Sequence, residues 1–152
     1  MTPRPIVLLL CALLCLLAAP TAFAQSFTDT TATLLRSDRE PLHMHLWLAD
    51  EPTERARGLM EVEDFGAYDG MLFDFGEVQR VTMWMKNTPL ALDMIFIDAQ
   101  GAIVHIHRNA EPHSTKLIRS PVDVLSVLEL QAGKADEWGI TPGDKVEHAI
   151  FN

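Results

Sequence analysis

Apolar and polar residues alternate from 42 to 48. Leu42, Met44, Leu46 and Leu48 fall on one side and His43, His45 and Trp47 on the other, the two-residue period of a strand. Residues 49–60 change to a short helical pattern, with Asp50 as a cap, Pro52 in the first turn and Glu54, Arg55 and Arg57 on a wet face. Residues 61–69 are acidic and irregular. A buried strand is expected from Gly70 to Phe75, ending at Gly76. Two more are expected over 81–86 and 92–98, joined by the turn chemistry of Asn87-Thr88-Pro89. Asp98-Ala99-Gln100-Gly101 is a hairpin signal, and 102–107 returns as its partner strand. A polar connection over 112–121 leads to a strand over 124–130 and a short helix over 132–138 closed by Gly139. Pro142-Gly143-Asp144 then turns the chain into a closing strand over 145–151.

Strands spaced this closely, with only two short helices, predict a mainly β chain: a compact antiparallel sandwich or small barrel. Residues 25–32 are polar and threonine-rich without a hydrophobic period, and read as a loose arm before a single β-rich domain over 33–152.

The first 24 residues have another character. Arg4 and the amino terminus precede an unbroken apolar run from Ile6 to Ala19. Pro20 ends the run, and Ala22-Phe23-Ala24 fits a small-residue cleavage site. At about 1.5 Å per residue the run reaches some 21 Å, short of the roughly 30 Å of hydrocarbon that a spanning helix crosses. A signal peptide cleaved after Ala24 is expected, with the domain periplasmic or secreted and no stable membrane anchor after cleavage. Leu10 before Cys11 and Leu14 before Cys15 do not suit lipid modification. Both cysteines leave with the leader, so the remaining chain has no thiol for disulfide, metal or nucleophilic chemistry.

Of the 12 Lys and Arg only Arg4 lies in the leader, whereas all 21 Asp and Glu lie beyond it. The net charge therefore moves from −9 to about −10 on cleavage. An acidic surface repels phosphate backbones, which argues against nucleic acid as a partner. A monomer is expected. No Walker loop, dinucleotide glycine motif or nucleophile elbow is present, and no cofactor is implied.

The densest segment for binding chemistry runs from Met83 to Asp98. It sets Trp84, Lys86, Asn87 and Asp93 around two strand ends and their turn. Trp offers an apolar plate and the other three offer directed hydrogen bonds, a set that suits a small polar ligand such as a sugar. The structural alternative is that Asn87 and Asp93 brace the turn and Lys86 neutralises Asp93. A second constellation is His43-x-His45 and His105-x-His107, each a pair on one strand face. If adjacent, the pairs offer imidazoles to zinc or copper, as in a metal-binding carrier or metal-dependent hydrolase. Asp69, Asp74, Asp93 and Glu129 are available carboxylates, but no spacing selects a pair of them. Arg55 and Arg57 beside acidic 61–69 read as a surface ion-pair cluster, and the methionines as core.

Several segments also carry a resemblance. They are Thr53-Glu54-Arg55 with Gly58-Leu59-Met60, Gly70-Met71-Leu72-Phe73, and Trp84-Met85-Lys86-Asn87-Thr88. Further along are Leu92-Asp93-Met94-Ile95-Phe96-Ile97-Asp98, Val127-Leu128-Glu129-Leu130 with Ala132-Gly133, and Gly143-Asp144 with Val146. In this order they resemble the bacterial and archaeal family labelled domain of unknown function 192. Met83, where that family commonly has an aromatic residue, and the strongly acidic 61–69 depart from its pattern. The resemblance implies a compact, mainly β domain, often exported, and implies no activity. The leading expectation is a non-enzymatic exported module that binds a small polar ligand or a cell-envelope partner. The alternative is the histidine-based metal protein.

Overall fold

The first hairpin is built from β1 (Thr28–Arg36) and β2 (Arg39–Ala49), paired antiparallel from Thr28 opposite Leu48 to Arg36 opposite Arg39. The computed structural model describes residues 27–151; the expected leader, its cleavage point after Ala24 and both cysteines lie outside them. After α1 (Pro52–Arg57) come β3 (Gly70–Gln79), β4 (Thr82–Met83), β5 (Leu92–Ile97), β6 (Ile103–Ala110) and β7 (Ile118–Arg119). The chain continues through β8 (Val124–Gln131), α2 (Lys134–Glu137), β9 (Lys145–Glu147) and a 3-10 turn over Ala149–Phe151. Seven strands form one curled sheet in the order β6-β5-β8-β3-β2-β1-β9, a half-barrel, while β4 and β7 make a separate two-stranded ribbon.

All pairings are antiparallel except β2 with β3, which run parallel from Leu46 opposite Gly70 to Ala49 opposite Phe73. A parallel pair needs a crossover of a dozen or more residues, and the segment 50–69 with α1 supplies it. At one end the two edges of the sheet meet. Ala102 bridges Lys145, the Val146 amide donates to Gly101 O at 2.8 Å, and the Ile103 amide donates to Asp144 O at 2.8 Å.

Strand alternation divides the core in two. Leu34, Met44, Leu46, Leu72, Ile95, Ile103, Leu128 and Val146 come from all seven strands of the sheet with Ile106 and fill its hollow. Met71, Phe73, Met94, Phe96 and Val127 point to the opposite face of β3, β5 and β8, where Leu59, Phe65, Val81 and Met85 cover them. The apolar run of β5 is therefore buried on both sides. This second layer carries the candidate site.

The mainly β architecture with two short helices is as the pattern predicts, and several boundaries differ. Thr28 to Ala32 are not a loose arm; they are the first residues of β1, held by β2. The helix of 49–60 contracts to six residues, and its N-cap is Glu51 rather than Asp50. β3 continues through Gly76 to Gln79 across an irregularity between Asp74 and Gln79. The expected strand over 81–86 shrinks to β4, since only Thr82 and Met83 find a partner, in Arg119 and Ile118. The closing strand stops at Glu147.

Candidate ligand-binding site

Four pieces of chain meet over the outer face of β3 and β8. α1 and the turn after it bring Arg55, Arg57, Leu59 and Met60; β3 brings Phe73 and Phe75. The segment 82–88 brings Met83, Trp84 and Thr88, and β8 brings Glu129. Together they enclose a cavity of about 290 Å3.

Each wall has a local reason for its position. Pro52 suits the first turn of α1, and the buried Glu54 carboxylate accepts the amides of Asp50 and Glu51 at 3.3 and 3.2 Å, satisfying donors that a helix start leaves free. Arg55 Nη1 donates to Asp74 O at 2.9 Å and also to Asp50 O, which ties the helix to β3. On the other side, the Val81 amide donates to Ser120 Oγ at 3.0 Å and the Ser120 amide donates to Val81 O at 2.9 Å. Asn87 adopts a left-handed φ of 56°, and its carbonyl accepts the Glu61 amide at 2.8 Å. The turn at 85–88 is further fixed by the Met85 amide on Ser114 O and the His113 amide on Thr88 O.

Glu129 is the unusual member. It stands opposite Met71 on β3 and Met94 on β5, so its carboxyl shares a face with two thioethers. It is 3% exposed, and its carboxyl makes no ion pair among the described residues. Burial alone pushes it up to about 8, because an apolar setting disfavours the charged form. At neutral pH it is mostly a neutral acid, with an O–H to donate at the floor of the cavity.

The residues singled out in the sequence separate here. Trp84, 45% exposed, lines the cavity, and Lys86 Nζ lies 5.4 Å from the centre of its ring. Asn87 is exposed at the turn beside them. Asp93 is elsewhere. It is 1% exposed, and its carboxylate accepts the amides of Asn109 at 2.9 Å, Gly133 at 2.9 Å and Ala135 at 3.0 Å, bracing the start of α2. Its oxygens are occupied by backbone, and Lys86 does not neutralise it.

The histidine pairs do not converge. β2 and β6 are separated in the sheet by β3, β8 and β5. His43 bonds Thr33 Oγ1 at 3.1 Å, His45 stacks on Tyr68 and lies 3.8 Å from Asp29, and His105 packs against Phe96. Among the described residues no three His, Asp or Glu are grouped to hold a metal. The histidine metal centre is thus overturned by strand order. Nor do Arg55 and Arg57 form the expected ion-pair cluster with 61–69, since neither pairs with a carboxylate among the described residues.

In the sequence Glu129 is only one of four available carboxylates. The signal was a lone acid inside an otherwise apolar strand, Val124-Leu125-Ser126-Val127-Leu128-Glu129-Leu130.

Residues 33–148 match the family model for domain of unknown function 192, described as an uncharacterized ACR family. The chain is similar to a crystal structure from Sinorhizobium meliloti 1021, provisionally described as a transcription regulator. The TM-score is 0.79 at 43% identity, covering 82% of this chain and 97% of that one. It is also similar to a protein of unknown function from Novosphingobium aromaticivorans DSM 12444, with TM-score 0.77 at 31% identity, covering 82% and 89%. No curated protein matches. The chain belongs to the domain of unknown function 192 family.

Proposed function

We propose that this member of the family is an exported, non-enzymatic binding module whose cavity under α1 holds a small polar ligand. The observation that carries the reading is Glu129. Its carboxyl faces the cavity from a largely desolvated position, and a ligand that accepts its proton in a hydrogen bond offsets the cost of that desolvation. Trp84 and Phe75 supply ring faces, and Arg55, Arg57 and Thr88 supply polar groups around the ligand. About 290 Å3 suits a monosaccharide or a compound of similar size. Lys86 and Asn87 flank Trp84 at the edge of the site, and Asp93 supports the fold behind it.

A small-residue cleavage site after Ala24 supports work outside the cytoplasm. Amino-terminal sequencing of the protein from a periplasmic or culture fraction is expected to begin at Gln25. The regulatory role described for the Sinorhizobium protein is not carried over as DNA binding, because a net charge of −9 disfavours a phosphate backbone.

The test of binding is a panel of monosaccharides, amino acids and small organic acids titrated against the mature chain, followed by tryptophan fluorescence and amide chemical shifts. At least one compound is expected to saturate and to shift amides of 55–60, 82–88 and 129. Trp84→Ala is expected to lower its affinity at least tenfold while the shift spectrum stays folded. A panel without any saturating compound retires the reading.

A further inference from the structure

The charges around the cavity narrow the ligand class. The chain as a whole is acidic, yet the cavity is lined by two cations, Arg55 and Arg57, and by one carboxyl, Glu129. Neither arginine is matched by a carboxylate among the described residues. Such a guanidinium presents several N–H donors in a planar fork that fits a carboxylate or phosphate with two parallel hydrogen bonds. Arg55 spends one nitrogen on the carbonyls of Asp50 and Asp74, which fixes its head at the helix–strand junction.

The single acid does not cancel this bias. Met71 and Met94 stand on either side of Glu129, and Thr82, Trp84 and Thr88 line the cavity from the segment 82–88. The charged groups that share the cavity with it are therefore the two arginines of α1. Desolvated in this way, Glu129 stays protonated at neutral pH and donates rather than repels.

We propose that the cavity selects small anionic ligands, with the acid group held by Arg57 and Arg55 and a second oxygen accepting the Glu129 O–H. The inference rests on the binding reading above and adds the class of ligand. The shared chemistry is an anionic head on a small hydroxylated body, which a sugar acid or a sugar phosphate both provide.

The probe is a paired panel: glucuronate, galacturonate and glucose 6-phosphate against glucose and galactose. Each is titrated by calorimetry into the mature chain at pH 6.5 and at pH 9.5. At least one anion is expected to bind ten times more tightly than its neutral partner at pH 6.5. Arg57→Gln is expected to abolish that preference, and the more tightly bound acid type distinguishes carboxylate from phosphate. Affinity for the anion is expected to fall at least tenfold at pH 9.5, where Glu129 ionises and repels it. Glu129→Gln keeps an N–H donor and cannot ionise, so it is expected to bind equally at both pH values.

Equal binding of acids and neutral sugars overturns the anion inference and leaves the binding reading intact. So does neutral-sugar binding alone. Binding of none of the five overturns the inference as well, and the wider panel above then decides the binding reading. A pH response that persists in Glu129→Gln removes Glu129 from it.

Discussion

Glu129 on β8 pairs directly across the sheet with Met94 on β5, so a carboxyl group is held against a thioether instead of against a base. Its stability consequence follows from its raised proton affinity. The folded chain keeps a proton that the unfolded chain releases at about 4.5, and gives it up only near 8. The group is therefore harmless below pH 4.5, and stability falls as the pH rises through the window and levels off above 8. The full difference is on the order of a few kcal/mol, at about 1.4 kcal/mol per pH unit. Glu129→Gln is expected to match the parent near pH 4 and to exceed it progressively up to pH 9 in urea unfolding. Parallel profiles across that range would show that Glu129 is not desolvated.

Asp93 is predicted to be a structural residue. Its carboxylate accepts three backbone amides, those of Asn109, Gly133 and Ala135. Asp93→Asn offers one acceptor oxygen where three donors converge and turns an amide group against them. About 2–4 kcal/mol of stability is expected to go, in line with the loss of charge-assisted bonds at a buried site. Lys86→Ala, by contrast, removes only an exposed cation from the Trp84 ring and is expected to change stability by less than about 0.5 kcal/mol. Urea midpoints of the two variants check the contrast. Similar midpoints would restore the idea that Asp93 serves the surface with Lys86.

The uneven legibility of this chain has physical causes. β2 was readable because Met44 and Leu46 enter the hollow of the sheet while His43 and His45 stay outside, and that alternation is local. The 98–101 hairpin was readable because Asp98 and Gly101 supply their own turn chemistry; Asp98 Oδ1 accepts the amides of Gln100 and Ala102. β4 was overread. Alternation of Val81, Met83 and Met85 is as strong as in β2, but a strand also needs a partner, and β7 is two residues long. Glu129 does not stand out among the four available carboxylates, for the opposite reason. An acid in a strand ordinarily marks the wet face, and here α1 and the segment 82–88 cover that face from far away in sequence. Asp93 looked like a turn residue near Lys86 because sequence distance cannot show that α2 returns to it from 40 residues on.

His148 predicts a weakness in acid. Its Nε2 lies 2.6 Å from Thr30 Oγ1, linking the chain after β9 to β1. Burial holds its proton affinity below the ordinary 6.5 and is only partly opposed by the negative charge of Asp74. A depressed histidine contributes stability above pH 6.5, and that contribution is lost as the pH falls and the folded chain is forced to take the proton. His148→Gln keeps a hydrogen-bonding side chain without the titration. Its melting temperature is expected to fall less than the parent's between pH 7.5 and 5. Equal slopes would show that His148 does not carry the acid response.

Closure of the sheet is expected to depend on Gly101. It has φ +80°, and a Cβ there would lie 2.4 Å from the carbonyl oxygen of Val146, the backbone that joins the two sheet edges. Gly76 gives the matching control, since it has φ +73° with nothing within 4 Å of the same added atom. Gly76→Ala therefore isolates the cost of a left-handed conformation, about 1 kcal/mol. Gly101→Ala adds a collision with main chain that no side-chain rotation relieves, and a total of about 3 kcal/mol is expected. Hydrogen exchange separates the two effects further. The Val146 amide, bonded to Gly101 O, should lose protection in Gly101→Ala and keep it in Gly76→Ala. Unchanged protection of Val146 in both variants would show that the edges hold together without this contact.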